Sequence, residues 1–343
     1  MRADQPKDQG EAVTIASVAR RAGVSIATVS RVLNGVANKA SAETVERVRR
    51  AVADLDYRPS SAGKSLRLKQ SRLVAVLAAN LANPAMATIA ASVENALRRE
   101  GLVMVLCDTH DRPEIQDEYL REMKAQQARA IILLGAVESP LLAAMRGGPT
   151  PLVFVNRRDP GHPAGCYVGI DNTAAGRDLA RHCLAKGLVR AAIVHGPLTS
   201  SATRERVEAI RAEFAAAGHP IPAALRIGPA RRDHVDIGFE AAGALRASGA
   251  ELDAVICTSD LIAFGVRRFL RDHPAAGPMP VIAGFDDSPL NDWVAPWLTS
   301  VRIPYDAFGA AIVELLAARA EGSAEAHHIL AHTLVERRAD LVG

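Results

Sequence analysis

Seven short apolar runs constrain this chain more than any other feature: LVAVLAA, LVMVLC, AIILL, PLVFV, AAIV, AVICT and PVIAG, spread between residues 73 and 284. They alternate with amphipathic stretches that include Ala87 to Arg99, Ile115 to Gln126, Thr173 to Lys186 and Arg204 to Ala217. A strand with one wet face alternates apolar and polar residues, whereas these runs are apolar throughout. Both faces of the sheet must therefore be covered by helices, which is a parallel α/β design. In open sheets of this kind small molecules bind beyond the carboxyl ends of the strands. The residues that follow the runs, Asn80, Asp108, Gly135, Asn156, His195, Ser259 and Asp286, are the first candidates for a binding site. With 343 residues, 49% of them hydrophobic, the chain is long enough for two or three domains with real cores.

The N-terminal part follows a different rule. Ile15, Val18, Ala19 and Ala22 recur at helical spacing, Gly23 permits a sharp turn, and Ser25 can cap a second helix carrying Val29, Val32 and Leu33. That second helix offers short side chains at its start, Ile26, Ala27 and Thr28, followed by Ser30, Arg31 and Asn34, a set suited to close approach to DNA. A third helix begins after Ser41, with Val45, Val48, Val52 and Leu55 on one stripe. Charge follows the same division. Residues 1–70 carry 13 Lys and Arg against 7 Asp and Glu, while the remainder carries 28 against 31. The basic excess sits with the helical region, where it supplies salt-dependent attraction to phosphate.

The run Val13 to Leu33, with its AGVS turn and TVSRVLNG helix, resembles the N-terminal headpiece of the LacI/GalR family of bacterial transcription regulators. The resemblance continues through Leu55, Tyr57 and Pro59, through GKSLR at Gly63 to Arg67, and into GPL at Gly196 to Leu198, TSDLIAFG and GFDD. It implies an all-α helix-turn-helix headpiece followed by a two-lobed, periplasmic-binding-protein-like core of parallel sheets. The expected division is a disordered lead at 1–12, the headpiece at 13–59, a hinge helix or linker at 60–70, and an effector-binding and dimerisation core at 71–343. Within the core, one lobe is expected over about 71–169 and 299–326 and the other over about 170–298 and 327–343.

The same resemblance assigns roles. Leu66 stands where the family wedges an apolar side chain into the minor groove, and Arg67 where it places a basic minor-groove residue. Gly63 weakens that hinge, so it is expected to fold only on DNA. Ile26, Ala27 and Arg31 are expected to read bases; Thr14, Ser25, Ser30 and Asn34 are expected to position the helix on phosphates. For the effector, Arg206 and Asp286 match an arginine and an aspartate that reach the ligand, and Asn156 and the stretch from Asn83 to Met86 match positions facing it from the other lobe. A guanidinium fork and a carboxylate together suit a polyhydroxylated or acidic metabolite. Arg157, Arg158, Arg231, Arg232 and His234 point toward an anionic one such as a sugar acid.

Several chemistries are excluded. The triplet Gly63, Lys64, Ser65 imitates the end of a phosphate loop, but Arg58 occupies the position of the required earlier glycine. There is no GxSxG or HExxH, and the adjacent Asp286 and Asp287 are expected to point apart. Cys107, Cys166, Cys183 and Cys257 form no CxxC pair, so neither a metal site nor a disulfide framework is expected, and no cofactor. The polar start, MRADQPKDQGEA, has no apolar signal region and no segment is long and apolar enough for a bilayer, which places the protein in the cytoplasm without a membrane partner. The final LVERRADLVG carries no leucine heptad, so a homodimer is expected. The sequence therefore reads as a non-enzymatic regulator, most simply a repressor. It would bind a pseudo-palindromic operator in double-stranded DNA and answer to a small-molecule effector. A solute-binding protein of the periplasmic sugar-binding type is the alternative, and it has no use for the headpiece.

Overall fold

The computed structural model describes residues 13–33, 40–57, 71–162, 164–229, 233–320 and 327–337. The expected lead at 1–12, the hinge at 60–70 with Gly63, Leu66 and Arg67, and the positions Asn34, Arg231 and Arg232 lie outside the described residues. The chain divides into two compact units, up to Ser71 and from Arg72 onward.

The first unit contains three helices: α1 (Ile15–Ala22), α2 (Ile26–Leu33) and α3 (Ala42–Asp54). Thr14 and Ser17 form a reciprocal capping box at the start of α1. The helix ends at Gly23, whose φ of 64° is open to glycine without the Cβ penalty that ends such a turn for other residues. Ser25 then accepts from the Thr28 backbone N–H at 3.2 Å, and Ser41 caps α3 through the Thr44 N–H. Val18, Ala19, Ala22, Val29, Val48 and Ala51 form the small core, with Val52 and Leu55 packed at its edge. The helix–turn–helix and the third helix are thus found where the apolar spacing requires them.

The second unit has two lobes. The first comprises β1 (Leu73–Ala78), α4 (Pro84–Arg99), β2 (Val103–Asp108), α5 (Pro113–Ala125), β3 (Ala130–Leu134), α6 (Pro140–Met145), β4 (Leu152–Val155) and β5 (Tyr167–Ile170). The second comprises α7 (Asn172–Ala185), β6 (Ala191–Val194), α8 (Ser201–Ala216), β7 (Arg226–Ile227), α9 (His234–Ala247), β8 (Ala254–Cys257), α10 (Asp260–Asp272), β9 (Val281–Asp286), α11 (Asn291–Val294) and β10 (Thr299–Arg302). The chain then returns through α12 (Phe308–Ala320), which packs on α4, to β11 (His327–Leu330) and finally β12 (Thr333–Val335). The sheet orders are β11-β5-β4-β3-β1-β2 and β12-β10-β9-β8-β6-β7. All pairings are parallel except β12 against β10.

Two of the three expected lobe crossings are displaced. The first follows Ile170 as expected, but β10 pairs with β9, so the second crossing comes after Arg302 and not within 290–299. β11 pairs with β5 in the first lobe, so the third crossing lies between Leu330 and Thr333 and not at Ala326. Both shifts have a physical cause. TSVR is a half-polar strand stabilised by Ser300 donating to Asp260 at 2.7 Å, and HHIL is a sheet edge with only half-buried faces. The run LVMVLC is also an edge strand, leaving Val103 and Leu106 exposed.

Apolar residues of both lobes form one continuous cluster, which includes Ile132, Leu134 and Val168 with α4 and α12, and Ile256, Phe285 and Val301 with α7 and α8. The outer faces carry separate clusters, under α5 and α6 in one lobe and under α9 and α10 in the other. Helices α9 and α10 touch through Gly238 and Gly265. A Cβ at Gly265 would fall within 1.9 Å of the Val235 carbonyl, so no larger residue fits this crossing. Their N-termini are thereby held side by side at the cleft.

Candidate functional site

All five residues expected to meet an effector, Asn83, Met86, Asn156, Arg206 and Asp286, line one cleft of about 400 Å³ between the lobes. That volume suits a metabolite of sugar size. Of the other strand-end candidates, Asn80 and Ser259 also line it. Asp108 instead holds its own turn, accepting from the Leu81 and His110 N–H groups, and His195 is buried with its Nδ1 at 2.7 Å from the Gly196 carbonyl.

Arg206 comes from α8 and is only 5% exposed, unlike a solvated surface arginine. Its Nε donates to Asn172 Oδ1 at 2.8 Å and its Nη1 to the Thr258 carbonyl at 2.9 Å, while the guanidinium lies 4.5 Å over the Phe285 ring. Nη2 has no partner among the described residues, so a rigidly held donor is left for the cleft. Asp286 ends β9 and accepts from the Tyr305 hydroxyl at 2.7 Å. Burial pushes its carboxyl up from the ordinary value, and the Arg206 charge acts in the opposite direction. Asp287 points away and is ion-paired with Arg302 and Arg337 at 2.7 and 2.6 Å, so the two carboxylates do part as expected.

Behind this wall lies Asp260, the first residue of α10. It accepts from Ser300, from Asn291 Nδ2 at 2.6 Å and from the Asp287 N–H at 2.8 Å. Burial, and then the nearby Asp286 charge, push its carboxyl well above the usual range. Neither Asp260 nor Tyr305 is singled out by sequence spacing. The signal for Asp260 is its place in TSDLIAFG, immediately after a strand; Tyr305 is positioned by the crossing after β10.

The other wall belongs to the first lobe and is more open. Asn83 caps α4 through the Ala85 N–H at 3.0 Å, and Met86 supplies a buried apolar patch. Asn156 follows β4 with φ of 64°, and Asp286 opposite it has φ of 113°; both stand in the left-handed region that Asn and Asp tolerate better than bulkier residues. Arg157 also lines the cleft and donates from Nη1 to Asp111 Oδ1 at 2.7 Å. Arg158 does not line it. Its N–H donates to Ser201 Oγ at 2.8 Å, its Nε reaches Glu205 at 3.3 Å, and its guanidinium covers Tyr167, tying the lobes together.

His234, the first residue of α9, places Nδ1 at 3.0 Å from Ser259 Oγ. This resembles a nucleophile and base only superficially. The Ser259 oxygen caps α10 by accepting from the Ile262 N–H, and no carboxylate among the described residues orients the ring. Burial first, and the Arg157 charge second, hold the imidazole below its ordinary pKa, so it is neutral at neutral pH. Among the described residues no cluster of His, Cys, Asp and Glu could hold a metal, and no helix is long and apolar enough to cross a membrane. All four cysteines are buried.

In the N-terminal unit, Ile26, Ala27 and Arg31 face outward along α2, and Ile26 is 51% exposed. Arg31 Nε rests on the Ala27 carbonyl at 3.2 Å, leaving its terminal nitrogens at the surface. Thr14 and Ser25 sit at the starts of α1 and α2, with Thr28 bonded to Ser25. Ser30 departs from expectation. It is only 6% exposed, which leaves little of it at the surface.

Comparison with known proteins gives a consistent result. Residues 14–60 match the model of bacterial regulatory proteins of the lacI family, and residues 71–285 match that of periplasmic binding proteins and the sugar binding domain of the LacI family. The HTH-type transcriptional regulator GntR of Pseudomonas aeruginosa is 33% identical over 90% of both chains. The ribose operon repressor of Escherichia coli is 29% identical over 96% of both. Among solved structures, the transcriptional regulator CelR–cellobiose complex superposes with a TM-score of 0.71 at 28% identity, over 95% of this chain and 99% of that one. The lac repressor dimer bound to operator and the anti-inducer ONPF shares the fold, with a TM-score of 0.81 at 23% identity over 97% and 100%. Matched in both its helical headpiece and its two-lobed core, the chain belongs to the LacI family of bacterial regulatory proteins.

Proposed function

We propose that this protein is a homodimeric transcriptional repressor that binds a pseudo-palindromic operator and changes its affinity when a sugar or sugar-acid-like metabolite occupies the interlobe cleft. The observation that carries this reading is the convergence of Asn83, Met86, Asn156, Arg206 and Asp286, from four separate segments and both lobes, on one metabolite-sized space. The relatives are named as regulators and repressors, one solved relative is a complex with cellobiose, and a structure of the same fold is a dimer on its operator. Ile26, Ala27 and Arg31 read base edges, while Thr14, Ser25, Thr28 and, beyond the described residues, Asn34, Leu66 and Arg67 complete the DNA contact.

A second copy is the natural cover for two exposed apolar patches of the core, Val103 and Leu106 on the edge strand and Leu290, Trp293 and Val294 near α11; Trp293 is 84% exposed. The protein acts in the cytoplasm, carries no catalytic role, and needs no cofactor. A ligand that spans the cleft binds the two lobe arrangements unequally, and that difference is what shifts operator affinity. Fluorescence anisotropy on duplexes from the protein's own upstream region, titrated with salt and with a panel of sugars and sugar acids, tests the reading. Specific binding altered by one compound is expected, and the sign of the change separates inducer from corepressor. Weak binding that no compound alters, on these duplexes and in a genome-wide binding selection, would overturn it.

A further inference from the structure

We infer that the part of the cleft between Arg157 and His234 is a carboxylate subsite, so that the effector is a polyhydroxylated acid and not a neutral sugar. This rests on the effector reading above and adds the charge of the ligand to it.

The two residues come from opposite lobes, Arg157 after β4 and His234 at the start of α9, and line the same cleft. Each is held by the protein at one nitrogen only. Arg157 gives Nη1 to Asp111, and among the described residues the rest of its fork has no partner. Ser259 occupies His234 Nδ1, so Nε2 is left for the cleft. Nε2 is a donor in the imidazolium and in the neutral tautomer whose Nδ1 accepts from Ser259. Arg206 adds its unpartnered Nη2 to the same space. Three nitrogen donors from two lobes thus face one volume, and two of them belong to permanent cations.

The charged groups facing His234 are Arg157 and Asp111 from the first lobe and Arg206 and Asp233 from its own. Asp233 is used at the α9 N-terminus, accepting from the Val235 N–H, and Asp111 is used by Arg157. Both carboxylates are therefore committed to positioning. Both guanidinium groups line the same cleft, and a ligand carboxylate placed there gains a charge-assisted hydrogen bond from each. A neutral hydroxyl brings no opposite charge. Asp286, anchored by Tyr305, remains as the acceptor for ligand hydroxyls.

A carboxylate against Nε2 would favour the imidazolium, so binding of the acid takes up a proton. Its affinity gains fully below the free-state pKa of His234 and loses that gain as pH rises through the bound-state pKa. A neutral sugar has no such dependence.

Calorimetry on the full-length protein with matched pairs, gluconate and glucose, galactonate and galactose, ribonate and ribose, at pH 5.5, 7 and 8 tests the inference. One aldonate is expected to bind at least tenfold more tightly than its aldose, with affinity rising toward pH 5.5. Arg157→Gln and His234→Gln should each weaken the acid about tenfold and the aldose much less, and His234→Gln should flatten the pH dependence. Asp111→Asn removes the carboxylate that positions Arg157 and should weaken the acid more than the aldose. The inference is overturned if no acid binds, if an aldose binds as well as its acid, or if the variants weaken both members of a pair equally. An aldose that binds and alters operator affinity would sink this inference and leave the effector reading intact; ligands that bind without altering operator affinity would sink the effector reading.

Discussion

The two walls of the cleft are built differently. On the second lobe, Arg206, Thr258, Ser259 and Asp286 are all buried and bonded to one another's supports: Asn172, Tyr305 and the Thr258 carbonyl fix the two charged groups before any ligand arrives. On the first lobe, Asn80 and His110 are exposed, and Asn83, Asn156 and Arg157 are half-buried, held by one cap, one left-handed turn and one ion pair. A preorganised wall loses little freedom on binding, so under the proposed function it would contribute most of the effector affinity and the looser wall would adjust to the ligand.

Substitutions on the two walls should therefore differ in kind. The largest effect is expected from Arg206→Ala. It leaves Asn172 Oδ1 and the Thr258 carbonyl without their donor, so effector affinity should fall at least a hundredfold and stability by about 1–3 kcal/mol, read by calorimetry and thermal unfolding. Next comes Asp286→Asn, expected to lower effector affinity roughly tenfold through the lost charge-assisted acceptor. Its stability effect has a sign set by pH. Because burial raises the Asp286 pKa in the folded state, the native chain binds more protons than the unfolded one between the two pKa values. That contribution is complete below the unfolded value and is lost as pH rises through the folded value. The melting temperature of Asp286→Asn should accordingly gain on the wild type as pH rises across that window; a difference independent of pH would refute the assignment.

On the looser wall, Asn83→Ala should cost about 1 kcal/mol through the lost cap of α4 and weaken the effector several-fold. Asn156→Gly is expected to be smallest in stability, within about 0.5 kcal/mol of neutral, since glycine enters the left-handed region freely while gaining chain entropy when unfolded. It should still reduce effector binding. If Asn156→Gly destabilised the protein as much as Arg206→Ala, the contrast between the walls would be false.

Much of this arrangement is legible in the sequence because the features are local. Gly23 and Ser25 write the helix–turn–helix, and residues placed just beyond apolar strands, Asn156, Ser259 and Asp286, reach the cleft by topology alone. What the sequence hides is long-range or compensated. The strand TSVR does not read as an apolar run because its buried Ser300 is there to satisfy Asp260, forty residues away. Misplacing that strand misplaces the crossing, and with it Tyr305. His234 is readable as a cationic residue, but its neutral state depends on burial and on Arg157 from the other lobe. Ser30 is hidden for the opposite reason: a small polar residue on a surface helix is as easily turned inward, and here it is buried.

The central claim is that one chain carries a DNA-reading helix and a separate ligand cleft that controls it. Operator anisotropy with wild type, Arg31→Ala and Arg206→Ala, each with and without the effector found by calorimetry, tests it most directly. Arg31→Ala should lose specific operator binding while keeping effector affinity, and Arg206→Ala should bind operator but no longer respond to the effector. If Arg31→Ala bound operator normally, or Arg206→Ala still responded, the separation of the two sites would be contradicted.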